Sequence, residues 1–202
     1  MKSKLIIGAA FAVGGGHFGN RHAPQFYRQH IAQQYNIPWL RIIWHHSITL
    51  RPYPANLSTI QCANRQLYQQ ICLIRSQFVP IILGGDHSCA IATWQAIGKN
   101  APVGLLWIDA HFDSHSPDSS ISKRLHGMPL GVLLEQKPLA LYHTQTPVID
   151  PKHTVVFGVR SFENAEIQRL NKHNIRICII VLYIHVYIYG GGASNITNIN
   201  NL

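Results

Sequence analysis

Asp109-Ala110-His111-Phe112-Asp113 sets two carboxylates and an imidazole at every second position. If the backbone stays extended there, all three side chains project from one face. Mixed oxygen and nitrogen donors suit Mn²⁺, Fe²⁺ or Zn²⁺, whereas an all-oxygen set would suit Mg²⁺ or Ca²⁺ better. A carboxylate can also bridge two ions through its two oxygens. The plainer alternative is a turn after a strand, where Asp is common because it hydrogen-bonds its own backbone. His87, in Gly84-Gly85-Asp86-His87-Ser88, adds a fourth candidate ligand. The glycines allow a tight strand-to-helix turn that aims the imidazole inward. Asp86 would then orient a ligand or cap the following helix. Downstream, His126 stands in Leu125-His126-Gly127-Met128-Pro129. Histidine's ordinary pKa suits a proton shuttle, and a surface or helix-capping role is equally open.

These residues need elements to position them. Both clusters follow short apolar runs, Val79–Leu83 and Val103–Ile108, which read as buried strands. Chemistry in α/β proteins gathers at the C-terminal ends of such strands. Further strands are expected over Leu5–Ala10, Trp39–Trp44, Thr154–Gly158 and Ile175–Ile180. Helices are expected over Ala23–Tyr35, Ser58–Gln77, Ser88–Ile97, His126–Leu134 and Glu163–His173. The longest of these has apolar residues at Ile60, Ala63, Leu67, Ile71 and Ile74, the three-and-four spacing of an amphipathic helix. Alternating strands and helices predict an α/β fold, a mostly parallel sheet between two helical layers.

The 202-residue length suits one domain, and 47% apolar residues supply a sizeable core. The formal charge of +9 comes from 17 basic and 8 acidic residues. The basic residues are scattered and no nucleic-acid-binding signature is present, so specific nucleic-acid binding is not expected. Four cysteines without a CxxC pair read as buried free thiols in a reducing, cytoplasmic setting. The run Leu5–Val13 imitates an export signal, with Ala10-Phe11-Ala12 as a cleavage-like site. It reads instead as a first core strand entering Gly14-Gly15-Gly16. No stretch reaches the roughly 18–20 apolar residues of a membrane span.

Three motifs in order make the chain resemble the ureohydrolase family: Gly84–Ser88, Asp109–Asp113, and Leu125-His126-Gly127-Met128-Pro129-Leu130. Within that family it is most similar to the arginases, through Ser88-Cys89-Ala90-Ile91-Ala92-Thr93 and the His-Gly-Met-Pro-Leu segment. Phe157-Gly158-Val159-Arg160-Ser161 is similar to a later strand end of the family. The resemblance implies a three-layer αβα fold and manganese-dependent hydrolysis of L-arginine to L-ornithine and urea, with typically oligomeric assembly. It implies two Mn²⁺ ions: His87, Asp109 and Asp113 match ligands of one, and Asp109 and His111 match ligands of the other. His126 matches the proton shuttle, and Asp113 joins it as a catalytic candidate. His115 and Ser122 match substrate-contacting positions.

Several departures accompany the resemblance. His115 stands where many arginases carry Asn, and Lys123-Arg124 replaces the usual Gly-Asn. This leaves agmatine and formimidoylglutamate open as substrates beside arginine. The family's later Ser-x-Asp-x-Asp-x-x-Asp-Pro motif, which completes both metal sites, has no counterpart in this sequence. Residues 1–177 therefore read as a partial arginase-like domain with the C-terminal part of its sheet missing or altered. Residues 178–202 form an apolar, then Asn/Ile-rich, tail. The expectation is a truncated or frame-shifted chain of weakened activity and a tendency to aggregate, with a non-catalytic remnant or interaction protein as the alternative.

Overall fold

The computed structural model describes residues 2–44, 54–135 and 148–178. The expected tail lies outside the described residues, except for Cys178. Among the described residues there are six strands: β1 (Ser3–Ala10), β2 (Trp39–Trp44), β3 (Phe78–Gly84), β4 (Val103–Ile108), β5 (Ile149–Phe157) and β6 (Arg176–Cys178). Six α-helices accompany them: α1 (Ala23–His30), α2 (Ala32–Tyr35), α3 (Leu57–Ile74), α4 (Cys89–Ile97), α5 (Pro129–Glu135) and α6 (Asn164–Lys172). Every described strand pair is parallel, and the strands form two sheets in the orders β2-β1-β3 and β4-β5-β6.

The first sheet is covered on both faces. Leu5, Ile7, Ala9 and Phe11 of β1 and its extension pack with Leu67 and Ile71 of α3 and Ala92 and Ala96 of α4. The alternate face carries Gly8, where an added Cβ would lie 2.9 Å from both Pro24 of α1 and Ile42 of β2. This close approach requires glycine and produces the αβα layering. In the second sheet, Leu105, Trp107 and Val156 pack with Leu130 and Leu133 of α5 and Leu170 of α6. On its other face Leu106 and Ile108 are 60% and 69% exposed.

Departures from the expected elements have local causes. The helix expected over Ala23–Tyr35 is broken at Ile31, whose φ of −119° leaves the helical range. The helix expected over His126–Leu134 divides into a 3₁₀ turn, Leu125–Gly127, and α5, which Pro129 opens. Strand β5 extends back through Pro151, in the stretch where its pairing with β4 shifts register. Proline lacks the N–H a regular ladder needs, and the irregularity accommodates it. The cysteines are free, but Cys62 and Cys178 are exposed and only Cys89 is buried. Cys62 sits on the solvent side of α3, so the expectation of four buried thiols does not hold. Among the described residues, no helix is long and apolar enough to cross a membrane.

Candidate metal centre

The site begins where β3 ends. Beyond Gly84 the chain lies against the end of β1: Gly85 N–H donates to Ala9 O at 3.0 Å and Asp86 N–H to Phe11 O at 2.9 Å. A Cβ on Gly85 would fall 1.9 Å from Phe11 O, so only glycine fits. Asp86 is buried and fully engaged. Its Oδ2 accepts the N–H groups of Gly14 and Gly15 at 3.0 and 3.2 Å. Its Oδ1 accepts Ser88 N–H at 2.9 Å and Ser88 Oγ–H at 2.5 Å. One carboxylate thus ties the glycine-rich loop to the start of α4. The loop in turn reaches the third motif, because Gly14 O accepts His126 N–H at 3.0 Å and Gly15 O accepts Arg124 Nη1–H at 2.9 Å.

Beyond β4 the chain does not stay extended. Phe112 is buried, and Asp113 has a φ of 49°, in the left-handed region that non-glycine residues rarely adopt. The carbonyl of Asp113 accepts Leu130 N–H at 2.9 Å, one of the otherwise unpaired donors at the start of α5. The turn therefore brings Asp109 and Asp113 to His87 and leaves His111 outside. His87 Nδ1 lies 2.6 Å from Asp113 Oδ2 and 3.2 Å from Asp109 Oδ2. One donor atom from each of His87, Asp109 and Asp113 falls within 4.8 Å of the others. The side chain of His111 is 60% exposed, its Nδ1 3.3 Å from Asp109 Oδ1. The alternating DxHxD pattern therefore does not present three ligands from one extended face.

The electrostatics suit a cation. Burial alone would lower the His87 pKa, but the hydrogen bonds and charges of Asp109 and Asp113 outweigh it and raise it to about 9. Burial acts to raise the Asp109 carboxyl, and His87 and the His111 N–H more than reverse this, bringing it to about 2. Two carboxylates thus converge on a position that favours positive charge. A metal ion would supply that charge, and its ligands bind it deprotonated. Two carboxylate oxygens and one imidazole nitrogen form a donor set that fits a divalent ion such as Mn²⁺, Fe²⁺ or Zn²⁺.

These residues form part of the wall of a cavity of about 320 Å³, which His111, His115, His126, Ser161, Phe162, Glu163 and Glu166 also line. His115 is buried, with Nε2 at 3.5 Å from both Glu163 Oε1 and Glu166 Oε2 and Nδ1 at 3.1 Å from Ser119 Oγ. Ser122 is exposed on the loop and does not line the cavity. Lys123 occupies the left-handed region at φ 55°, and its Nζ donates to Pro117 O at 2.6 Å, closing that loop.

Glu163 and Glu166 are not among the residues that spacing singles out. Glu166 Oε1 accepts Ser114 N–H at 3.1 Å, and Oε2 accepts Glu163 N–H at 3.0 Å. The pair forms a capping box at the start of α6, and that i, i+3 spacing is the available signal. It announces a helix start, and only the fold turns it toward the cavity.

The arginase family model matches residues 2–181. An arginase of Staphylococcus aureus (strain MRSA252) is 36% identical over 128 residues, covering 63% of this chain and 41% of that protein. The structure of Bacillus caldovelox arginase superposes with a TM-score of 0.78 at 29% identity, covering 89% of this chain and 65% of that one. Formimidoylglutamase from Bacillus subtilis shares the fold at 22% identity, with a TM-score of 0.66, 89% of this chain and 55% of that one. The chain spans about two fifths of the length of the curated relatives it matches.

Proposed function

The chain belongs to the arginase family, and from that premise we propose that it is a manganese-dependent ureohydrolase acting on the guanidino group of L-arginine. The observation that carries this reading is the convergence of His87, Asp109 and Asp113 in the wall of a cavity that His126 also lines. His87, Asp109 and Asp113 would hold one ion, and Asp109 with His111 a second. When bound, a divalent ion supplies the positive charge that lets water ionise near neutral pH. His126 delivers a proton to the leaving amine nitrogen of the substrate. Glu163 and Glu166, with His115 between them, face the α-ammonium of the substrate. Phe162, whose ring centroid lies 5.4 Å from that of Phe112, covers one side of the cavity and limits water.

The proposed second ion is less well held. His111 is the exposed member of the set, and no Asp-x-Asp pair occurs anywhere in the sequence. An exposed imidazole holds an ion less firmly than the converged trio, so slow turnover is expected. Agmatine is the second reading. The described lining residues include Glu163 and Glu166 and no lysine or arginine, a charge balance that suits a substrate ending in an ammonium.

The test is release of urea by the manganese-loaded chain from arginine and agmatine, with formamide release from formimidoylglutamate alongside. Slow, manganese-dependent urea release from arginine is expected. Faster turnover of agmatine would move the assignment to the second reading. Turnover as fast as that of full-length arginases would overturn the weakened second site. Absence of both manganese binding and turnover would overturn the enzyme reading.

A further inference from the structure

We propose that Trp107 is the positioning residue for His87, holding its imidazole in the metal-binding orientation by ring stacking. The inference rests on the reading that His87, Asp109 and Asp113 bind a metal ion.

The two rings are stacked, with centroids 4.5 Å apart and planes inclined by 21°. Trp107 is 3% exposed and belongs to the core of the second sheet, where it pairs in register with Val156 of β5. It is therefore a fixed surface. His87 sits on the turn between β3 and α4 and needs one. The second torsion of a histidine side chain is broad, so a turn alone does not set the ring plane. A ligating histidine is ordinarily oriented by a hydrogen bond from its other nitrogen. Among the described residues, Nε2 of His87 has no such partner, and its hydrogen-bonding contacts are to Asp109 and Asp113 through Nδ1. Those contacts would be given up if the carboxylates and Nδ1 held an ion. The indole face is then the remaining constraint on the ring plane. Trp107 also precedes Asp109 by two residues, so one strand end fixes a carboxylate directly and the imidazole through the indole.

The test compares Trp107→Phe with Trp107→Leu in the full chain, reading Mn²⁺ affinity by calorimetry and the ligand-field spectrum of the Co²⁺-loaded protein. Phenylalanine keeps a flat face and should bind within about threefold of the parent, with an unchanged Co²⁺ spectrum. Leucine fills space without a flat face and should weaken binding by about tenfold to 100-fold, the range for lost support of a ligand, with an altered spectrum. Trp107→Met, whose flexible chain adapts to the gap, makes the same comparison should the leucine variant fail to fold. Equal affinity and spectra in all variants, with only a lowered Tm, would overturn the inference and leave Trp107 a packing residue. A parent chain that binds no Mn²⁺ or Co²⁺ would instead remove the metal-site reading, and the inference with it.

Discussion

Two clusters of acidic and basic side chains among the described residues are built on opposite principles. Between α5 and α6, one carboxylate, Glu135, is surrounded by Arg169, Lys172 and His173 at 3.2–3.5 Å. Its charge is matched several times over, and burial, which would raise its pKa, is outweighed by Lys172, Arg169 and His173, which lower it. At the ends of β3 and β4, two carboxylates instead converge on a single imidazole. That arrangement gathers more negative than positive charge. The first cluster is complete as it stands and fastens two helices. The second has the donor set that a cation, as proposed, would complete. Residue type alone does not separate them; the ratio and convergence of the charges do.

Four measurements would break or sharpen this contrast. The largest effect is expected from Asp113→Ala, which removes a donor from the convergent set and should weaken Mn²⁺ binding by at least roughly 100-fold in calorimetry. If affinity is retained, the convergence has no bearing on metal binding. Next is Glu166→Gln, where a buried carboxylate accepting two backbone N–H groups loses half its acceptor capacity. A loss of about 1–3 kcal/mol in chemical denaturation is expected, together with a weaker KM for any cationic substrate. His111→Ala should cost about tenfold or less in the affinity of the first ion, because the ring lies outside the converged trio. A larger loss would place it among the ligands of that ion. The smallest effect belongs to Glu135→Gln, with about 1 kcal/mol or less of stability and unchanged Mn²⁺ affinity.

The Glu135 cluster also carries a pH signature with a defined sign. A carboxylate whose folded pKa is depressed stabilises the fold above its ordinary pKa and loses that contribution as pH falls through the folded value. The stability gap between the parent and Glu135→Gln should therefore be full near pH 6 and should close as pH drops below the ordinary glutamate range. Denaturation curves across that interval check this; a gap that widens in acid would show that the cations do not govern Glu135.

Much of the scaffold is legible in the residues. Apolar runs predict β2 and β4 to the residue, because short runs rich in branched and aromatic side chains favour strands even where one face is exposed. The periodicity of Ile60, Ala63, Leu67, Ile71 and Ile74 predicts α3, and all five face the core. The same reasoning misjudges the segment after β4. An alternating pattern implies one face only if the backbone is extended, and the left-handed turn at Asp113 redirects it. Glu163 and Glu166 escape notice because their spacing already has a local explanation in the helix cap. Ser122, favoured by resemblance, lies on the exposed side of its loop.

The sequence by itself determined which strands and helices form, their parallel α/β arrangement, and the presence of imidazole and carboxylate donors at two strand ends. Those properties depend on residue type and short-range spacing, which a linear chain displays directly. Only the tertiary structure decided which donors meet. His87 comes from one sheet and Asp109 and Asp113 from the other, and their meeting depends on how Asp86 ties down the glycine loop and how α5 stabilises the turn at Asp113. It also decided that His111 lies beside the converged trio rather than in it, and that Glu163 and Glu166 line the same cavity. Convergence depends on contacts between distant segments, and a sequence carries no distances between them.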